Sequence, residues 1–426
     1  MTKYVMITLV SEQTIPNITP VFQEGAPLFE AIYFLQTNRH TTTIAATESV
    51  LKLRFPDIKL IKHPEIVDNG DAEITRKVAG NLIAQLKQDA AQNGFTIEIV
   101  CNWTLGTKPM SLGLVQAARE HNCPTIYVDT QENRIIDPNH IYPGSDIYKR
   151  LNLNLTVFEY IKSYGLDPLK PECPVPESNL IKAANIIVTY LCQPNGKSSH
   201  SLEALDSELN QTPVAFFGAV RANRELHRKR VKNVDYTQLL VDKNSDLALA
   251  LATELQQCGV VESLNKTSNG VAEIKLVNTS ALFYLNGNWL EYYIYGKLRD
   301  KHSPLANSGL HSRVSQGVEF RWRQGNEVRD VRNEIDVLFT SGTELVFISC
   351  KTGTYYLKEG SKEAVYELET LARNAGTFIK KILVLCQPRT KIPDALKDRA
   401  ALFRIQLLTL EDLPEIVEKV ESIFKR

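Results

Sequence analysis

The residues best suited to chemistry lie on two strand-like runs that are joined by a short polar link. Side chains alternate between the two faces of a strand, so Asp336 shares a face with Glu334, while Ile335 and Val337 point the other way. The short link makes the two strands antiparallel neighbours, which brings Asp336 beside Lys351 on one surface. The two runs are Glu334–Phe339 and Leu345–Lys351.

A carboxylate beside a lysine is suited to the hydrolysis of phosphodiesters. That reaction uses a divalent metal to neutralise the phosphate and to acidify a water, and magnesium or manganese prefers carboxylate oxygens as ligands. A lysine beside the metal orients the water or stabilises the developing charge. The alternative is a solvated ion pair across two strands of a sheet, with no catalytic role.

The arrangement resembles the PD-(D/E)xK nucleases, in which an acid precedes a hairpin and a second acid lies two residues before a lysine. Here the second acidic position is Ser349, whose neutral oxygen is a weak metal ligand. Glu291, on a helix predicted around Asn288–Leu298, is the best substitute acid, and Glu334 is a second candidate. The resemblance implies catalytic residues Glu291, Asp336, Ser349 and Lys351, with Glu291 and Asp336 on the metal.

Two polar segments follow predicted strands in the first part of the sequence. In open α/β sheets, ligands bind beyond the carboxyl ends of the strands. The second segment contains hydroxyls, a glycine and a lysine directly before a helix, where backbone N–H groups and the helix dipole favour an anion. Neither segment contains a Walker A loop or GxGxxG, so ordinary NTP or NAD binding is disfavoured, and both segments could simply be helix caps. The segments are Ser11–Asn17 and Asn102–Met110.

Residues 1–150 alternate short apolar runs with amphipathic stretches, which predicts a parallel sheet covered by helices on both faces. Right-handed crossovers then give a doubly wound, Rossmann-like α/β domain. The predicted strands are Tyr4–Val10, Thr42–Ala46, Ile58–Ile61, Ile97–Trp103 and Thr125–Asp129, and the predicted helices include Leu28–Gln36, Ala72–Ala91 and Ser111–His121.

Residues 151–280 are predicted to form a linker region, and residues 281–426 a third unit that carries the candidate nuclease site. A proline-bearing stretch from Asp167 to Pro176 is typical of a linker. Beyond it, a helix over Asp246–Cys258 precedes two runs joined at Asn269-Gly270, a strong hairpin signal. Helix followed by hairpin suits a winged-helix module. The third unit is predicted to be an α/β domain.

Composition excludes several classes of protein. The 426 residues include 49 Lys and Arg against 49 Asp and Glu, which disfavours a generally basic nucleic-acid coat but leaves room for a local basic groove. The densest basic run, Arg221 to Lys232, is either such a groove or a solvated helix face. No apolar run is long enough to span a membrane, and neither cysteine nor histidine spacing suits zinc. A cytoplasmic protein without a membrane partner is expected.

Five segments occur in the same order as in one family, the CRISPR-associated Rossmann fold (CARF) proteins fused to a restriction-endonuclease-like domain. The resemblance implies a homodimer of a type III CRISPR ancillary nuclease, whose first domains bind a cyclic oligoadenylate, most of all cyclic tetra-adenylate. Binding would then license cleavage of DNA or RNA with magnesium or manganese. The matching segments are Ser11–Asn17, Asn102–Met110, Leu285–Glu291, Asn333–Lys351 and Glu367–Gly376. The ligand residues that it implies are Ser11, Gln13, Asn17, Thr104, Gly106, Thr107 and Lys108.

Three hypotheses follow from the sequence. The first is a nuclease activated by a cyclic oligoadenylate. The second is a nucleotide-responsive winged-helix transcription regulator with an inactive nuclease fold, which the serine at position 349 would allow. The third is a constitutive restriction-type endonuclease with a structural first domain. Glu291 and Lys351 favour an active site over a dead one, and the segment Asn102–Met110 favours control by a ligand.

Overall fold

The described residues form three β-sheets in a computed structural model. A seven-stranded sheet occupies the N-terminal part, a three-stranded sheet the middle, and a six-stranded sheet the C-terminal part. The structure describes residues 2–37, 41–151, 153, 155–169, 177–192, 214–267, 269–302, 313–324, 327–353, 361–375 and 379–423.

The first sheet is Rossmann-like, as predicted. Its order is β3-β2-β1-β4-β5-β6-β7; the first five strands are parallel and the last two antiparallel. Its strands are β1 (Thr2–Leu9), β2 (Phe29–Leu35), β3 (Lys59–Lys62), β4 (Thr96–Asn102), β5 (Thr125–Asp129), β6 (Arg134–Ile136) and β7 (Tyr148–Arg150). Its helices are α1 (Ile15–Phe22), α2 (Thr41–Arg54), α3 (Ala72–Gln92), α4 (Lys108–Glu120) and α5 (Val157–Ser163).

Two predictions in this domain are wrong. Leu28–Gln36, predicted as a helix, contains β2, which pairs with β1 on one side and β3 on the other and is largely buried. Thr42–Ala46, predicted as a strand because of its β-branched residues, lies inside α2. In that helix Thr47 donates its hydroxyl to the carbonyl of Thr43, one turn earlier. Tertiary packing overrides the weak local preferences of both segments.

The middle of the chain is a helical and hairpin module. The predicted hairpin is confirmed, since β10 and β11 pair antiparallel and Gly270 at their turn has φ of 83°. Residues 243–260 are all described and contain the single helix α8, so one helix, not a helix-turn-helix pair, separates β9 from the hairpin. The elements are α6 (Ser178–Cys192), α7 (Val214–Arg228), β9 (Gln238–Asp242), α8 (Asp246–Gln257), β10 (Val261–Lys266) and β11 (Val271–Leu276).

The third sheet has the order β16-β15-β14-β13-β12-β8. Strands β12 to β14 are antiparallel and β14 to β16 parallel, which agrees with the predicted α/β domain. Its strands are β8 (Leu166–Pro168), β12 (Val314–Gln324), β13 (Glu327–Ser341), β14 (Glu344–Lys351), β15 (Ile379–Leu385) and β16 (Ile405–Leu408). Its helices are α9 (Thr279–Phe283), α10 (Trp289–His302), α11 (Ser361–Asn374), α12 (Asp394–Leu402) and α13 (Ile416–Ser422).

The edge strand β8 comes from the start of the predicted linker. Asp167 and Pro168 pair antiparallel with Arg321 and Phe320 of β12, so these first residues belong to the C-terminal sheet. Proline is tolerated there because an edge strand has N–H groups that need no partner within the sheet. The rest of the predicted linker, residues 170–176, lies outside the described residues.

The turn between β13 and β14 docks onto the first domain. Thr343 donates its hydroxyl to the carbonyl of Thr130 (3.3 Å) and its N–H to the side-chain oxygen of Asn133 (3.3 Å). The hydroxyl of Tyr160, on α5, donates to the carbonyl of Thr343 (3.2 Å), and both residues are buried. This set of contacts is called the turn clasp below.

Two further contacts complete the turn clasp. Thr340 donates its buried hydroxyl to the carbonyl of Leu155 (2.8 Å), just before α5. Gly342 has φ of 57°, and a Cβ there would lie 2.2 Å from the side-chain oxygen of Asn133. Glycine is therefore required for the close approach. The turn clasp joins the strands of the third sheet directly to the first domain.

The apolar cores run across these units. One cluster of buried residues includes helix α5, one face of the first sheet and the side of the third sheet that α11 covers. A second cluster combines the middle module with the side of the third sheet that α10 covers. The domains therefore share apolar cores and do not form independent units joined by a linker. None of the helices in the described part of the chain is both long and apolar enough to span a bilayer.

Candidate functional site

The first candidate site lies where β1 and β4 are neighbours at the centre of the first sheet. Strand β1 leads to α1 and β4 leads to α4, and their connections leave the same carboxyl edge of a parallel sheet. The strand order reverses direction here, since β2 and β3 continue on one side and β5 on the other. Such a switch point opens a crevice in which α/β proteins bind ligands.

Buried polar side chains tie the two connections together beneath this crevice. Asn102 is fully buried and donates to the carbonyl of Pro16 (3.0 Å), while its oxygen accepts from the Thr104 hydroxyl (2.6 Å). Thr104 in turn accepts from the N–H of Val128 (2.7 Å). Asn17 is also buried and donates to the carbonyl of Leu9 (3.2 Å). Asn17 and Thr104 thus support the crevice from below, and direct ligand contact by either residue stays a prediction.

The other predicted ligand residues lie higher in the crevice. Ser11 accepts from the N–H of Gln13 (3.2 Å) in the turn after β1. Gly106 has φ of 84°, and a Cβ there would crowd Leu9 and Met110 at 3.1 and 3.2 Å. Thr107 caps α4 by accepting from the N–H of Met110 (3.5 Å), and both Thr107 and Lys108 are exposed. Because the Thr107 hydroxyl donates to the carbonyl of Asn69 and Pro109 has no N–H, the ammonium of Lys108 is the main side-chain group that this helix start offers to a ligand.

The second candidate site is centred on Asp336, where β13 and β14 separate. Their ladder ends at the pair Val337 and Ile348, while β14 continues beside β15 as far as Lys351. Beyond the ladder, Oδ2 of Asp336 accepts from the N–H of Cys350 (2.6 Å) and from the Ser349 hydroxyl (3.2 Å). The side chain of Asp336 therefore replaces the missing backbone partner, and these bonds fix its orientation.

The predicted two-residue alternation fails at Asp336. Ile335 packs in the apolar cluster that contains α11, whereas Val337 packs in the cluster that contains α10, so these two residues do not share a face. The cause lies on the neighbouring strand, where Gly317 stands opposite Asp336 with φ of 58°. A left-handed residue reverses the pleat locally, as it does in a β-bulge. The prediction that Asp336 and Lys351 share a surface is nevertheless confirmed, because both line one cleft.

Glu291 approaches the same point from α10. Its carboxylate accepts from the amide of Gln316 on β12 (3.5 Å). Burial raises the pKa of Glu291 to about 8, and the negative charges of Asp336 and Glu334 add to the effect while Lys351 opposes it. A buried glutamate whose pKa is raised in part by neighbouring carboxylates is typical of a functional site.

Lys351 lies in a cleft between the end of β14 and helix α11. The cleft is lined by Glu334, Ile335, Asp336, Ser349, Lys351, Glu367, Leu368 and Leu371. The ammonium of Lys351 is 4.0 Å from the carboxylate of Glu367, and its side chain is 16% exposed. The lysine is thus mostly buried yet opens on the space beside Asp336.

Residues at this site fit a divalent cation with few protein ligands. In Asp336, Oδ1 accepts no hydrogen bond from the described residues, while Oδ2 is held in place. The described residues contain no group of three or more His, Cys, Asp or Glu side chains arranged to hold a metal. Glu291 and Asp336 would therefore be the acidic ligands, which suits magnesium, an ion that keeps several waters and takes one or two carboxylates.

Two residues of the site were missed by the sequence analysis. Gln316, which binds Glu291, lies in a strand without any distinguishing motif, so no signal pointed to it. Glu367 starts a segment that the family resemblance includes, but its role beside Lys351 follows only from the packing of α11 against β14. Both depend on contacts between elements that are distant in sequence.

Comparisons with known proteins identify the two domains in which these candidate sites lie. Residues 5–160 match the family model described as the Card1 CARF domain, and residues 278–426 match the model of the Card1-like endonuclease domain. None of the curated protein sequences that were compared matches the chain significantly.

Two solved structures share the fold over nearly the full length. Protein VC1899 from Vibrio cholerae is 17% identical, with a TM-score of 0.71, and the match covers 99% of this chain and 98% of that chain. Can2 from Sulfobacillus thermosulfidooxidans, solved in complex with cyclic tetra-adenylate, is 18% identical, with a TM-score of 0.64, covering 97% of this chain and 96% of that chain. At these identities the likeness is one of fold.

Proposed function

The chain belongs to the CARF proteins that carry a Card1-like endonuclease domain, and we propose that it is a metal-dependent nuclease activated by a cyclic oligoadenylate in type III CRISPR defence. The observation that carries the nuclease proposal is the convergence of Asp336, Glu291 and Lys351 where β13 and β14 separate. Its substrate is DNA, RNA or both.

Each residue of the site has a distinct role in this proposal. Glu291 and Asp336 would hold a magnesium or manganese ion, which, when bound, neutralises the phosphate and acidifies a water. The N–H of Cys350 and the hydroxyl of Ser349 hold Asp336 in position. Lys351 places an ammonium beside the scissile phosphate, where it stabilises the negative charge that develops during hydrolysis.

The activator would bind in the crevice between β1 and β4. The backbone N–H groups of Gly106, Thr107 and Lys108 and the charge of Lys108 would meet its phosphates, and Ser11 and Gln13, in the turn after β1, would complete the site. The cyclic tetra-adenylate bound by Can2, which shares the fold, supports this ligand. A two-fold symmetric ring suits a homodimer with paired first domains, each subunit giving one copy of the crevice.

The turn clasp is the candidate route between the two sites. Asp336 and Lys351 lie just beyond one end of the ladder between β13 and β14, and at its other end the turn is bonded to Thr130, Asn133 and Tyr160 of the first domain. A ligand changes activity only if it favours one of two arrangements. Movement of the first domain would shift the hairpin that holds the catalytic residues.

The test uses labelled single-stranded RNA, single-stranded DNA and plasmid, each with magnesium or manganese, and with or without cyclic tetra-adenylate and cyclic hexa-adenylate. We expect cleavage only with both metal and activator. Asp336→Asn should lose at least about 100-fold in cleavage and should still bind the activator. Equal cleavage by wild type and Asp336→Asn would refute the site, and full cleavage without a cyclic nucleotide would refute activation while leaving the nuclease intact.

A further inference from the structure

A stripe of residues on α7 faces the segment that leads into the catalytic helix. Residues three and four apart lie on one face of a helix, so Phe217, Arg221, Arg224 and Arg228 form a single stripe. The ring of Phe217 lies 6.3 Å from that of Trp289, the first residue of α10. The guanidinium of Arg224 lies over the ring of Phe283, at 4.2 Å from its centre. The stripe therefore runs along the α9 to α10 segment and is called the α7 stripe below.

The α7 stripe belongs to a strongly positive surface. Between positions 221 and 232 the sequence has six Lys and Arg residues and one carboxylate, Glu225. Glu225 pairs with Arg228 (2.8 Å) and Lys229 (3.5 Å), whose side chains are 71% and 63% exposed. Within the described part of the chain, Arg221 and Lys232 have no carboxylate partner, and both are exposed. Among the described residues, the surface therefore carries more positive than negative charge.

Contacts link the α7 stripe to the segments that carry the nuclease site. Trp289, against which the α7 stripe begins, is two residues before Glu291. The backbone between α9 and α10 accepts a hydrogen bond at Asn286 from Thr352, the residue after Lys351 (3.2 Å). Arg221 also lies close enough to Cys386 to oppose the effect of burial, which raises the pKa of that thiol to about 12. The N–H of Cys386 donates to the carbonyl of Lys351 (2.9 Å).

We propose that the α7 stripe binds the phosphate backbone of the nucleic-acid substrate and guides it to the cleft of Asp336 and Lys351. This inference rests on the proposed nuclease function and assigns a substrate contact that lies outside the reacting centre. Arginine suits the task because its planar group binds phosphate in a bidentate manner. The stacking of Arg224 on Phe283 fixes one of these groups in advance. Such contacts hold the strand without selecting its sequence.

The test measures binding in the Asp336→Asn background, so that the labelled single-stranded or duplex oligonucleotide is not cut. The variant Arg221→Gln/Arg228→Gln removes one unpaired and one ion-paired cation. Its matched control, Lys59→Gln/Lys77→Gln, removes one exposed cation without an ion pair and one paired with Glu73 from the first domain. All four residues are exposed, so both proteins should fold and melt like the parent.

We expect the stripe variant to bind roughly tenfold to a hundredfold more weakly at about 0.1 M salt. The slope of log affinity against log salt should fall by about 1.8 on duplex or about 1.4 on a single strand, as the loss of two phosphate contacts requires. The control should match the parent. With Asp336 restored, kcat/KM on a long substrate should fall in the same proportion.

Equal affinities and salt slopes for the parent and stripe variant, or equal losses in the stripe variant and the control, would overturn the proposal. Polyglutamate serves as a second ligand that mimics an acidic protein. A stripe variant that loses binding of polyglutamate but keeps binding of the oligonucleotide would also overturn the proposal, because that result assigns the α7 stripe to an acidic protein. If wild type cleaves and the stripe variant cleaves equally well, the nuclease function stands and only the stripe is refuted. Absence of cleavage by wild type with metal and activator would instead refute the proposed function.

Discussion

The turn clasp predicts that one buried hydroxyl transmits activation. Tyr160→Phe removes the donor to the carbonyl of Thr343 without changing the volume of the ring. Tyr293→Phe is a matched control, because the hydroxyl of Tyr293 donates to the carbonyl of Leu413 (2.9 Å) and this pair is also buried. The control bond lies wholly within the C-terminal part, whereas the test bond crosses to the first domain.

The expected change in the free energy of unfolding follows from what the two bonds share, a tyrosine hydroxyl that donates to a buried backbone carbonyl. Leaving a buried carbonyl without its donor costs about 1–3 kcal/mol, so both variants should lose a similar free energy of unfolding. Only Tyr160→Phe weakens a contact between the domains. If the clasp carries the coupling, a loss of about 1 kcal/mol lowers the ratio of activated to basal cleavage by roughly fivefold.

The assay compares cleavage with saturating cyclic tetra-adenylate to cleavage without it, beside urea unfolding of each protein. We expect the ratio to fall for Tyr160→Phe and to stay within about twofold of wild type for Tyr293→Phe, although stability falls in both. Equal ratios in the two variants would show that the clasp is only a packing contact. A fall in both ratios would trace the effect to general destabilisation.

Three further predictions follow from the described contacts. Ser349→Ala should keep the cleavage rate within about tenfold of wild type, because the N–H of Cys350 still holds Asp336. Glu291→Gln should lower the cleavage rate about 100-fold or more, because it removes a metal ligand. Equal losses of cleavage rate in the two variants, measured with manganese, would contradict this assignment. Lys108→Ala should weaken the binding of cyclic tetra-adenylate about 100-fold, as measured by titration calorimetry, because each of two subunits loses a charge-assisted contact of about 1.5–3 kcal/mol. Saturating cyclic tetra-adenylate should restore cleavage in this variant. Burial opposes ionisation of Asp412, but the hydrogen bonds that it accepts, chiefly from Thr409, lower its pKa. The ionised Asp412 side chain therefore stabilises the fold above the unfolded-state pKa of about 3.9, and this stabilisation is lost as pH falls through the folded-state pKa. The difference in the free energy of unfolding between wild type and Asp412→Asn should narrow from about pH 6 to about pH 3.

The fold was accessible from sequence wherever burial and periodicity agree. Strand β4 is an apolar run with a helix on each side, and α8 ends before a glycine, so both were predicted correctly. The segments Phe29–Leu35 and Thr41–Arg54 were not, because their composition fits either state. What decides between the states is the space beside β1, which only a strand can fill, and that space is a property of the assembled sheet.

The candidate site was predictable in its members but not in its geometry. The hairpin and the pairing of an acid with a lysine point to Asp336 and Lys351, and the need for a second acid points to Glu291. The reversal of the pleat at Asp336 depends on the left-handed conformation of Gly317, a residue on another strand. A pattern of alternation assumes an unbroken strand, so it could not reveal that Ile335 and Val337 enter different cores.

The serine at position 349 is consistent with the electrostatics of an active site. Burial and the charges of Asp336 and Glu334 already raise the pKa of Glu291 to about 8, so a further carboxylate at position 349 would increase the cost of ionising Glu291. Ser349 instead donates a hydrogen bond to Asp336, which helps to fix the orientation of that carboxylate. A serine at position 349 thus supplies no charged metal ligand, but its hydroxyl fixes the carboxylate of Asp336. With serine at position 349 the cleft of Asp336 and Lys351 carries less negative charge than it would with an acid there, so it repels a substrate phosphate less.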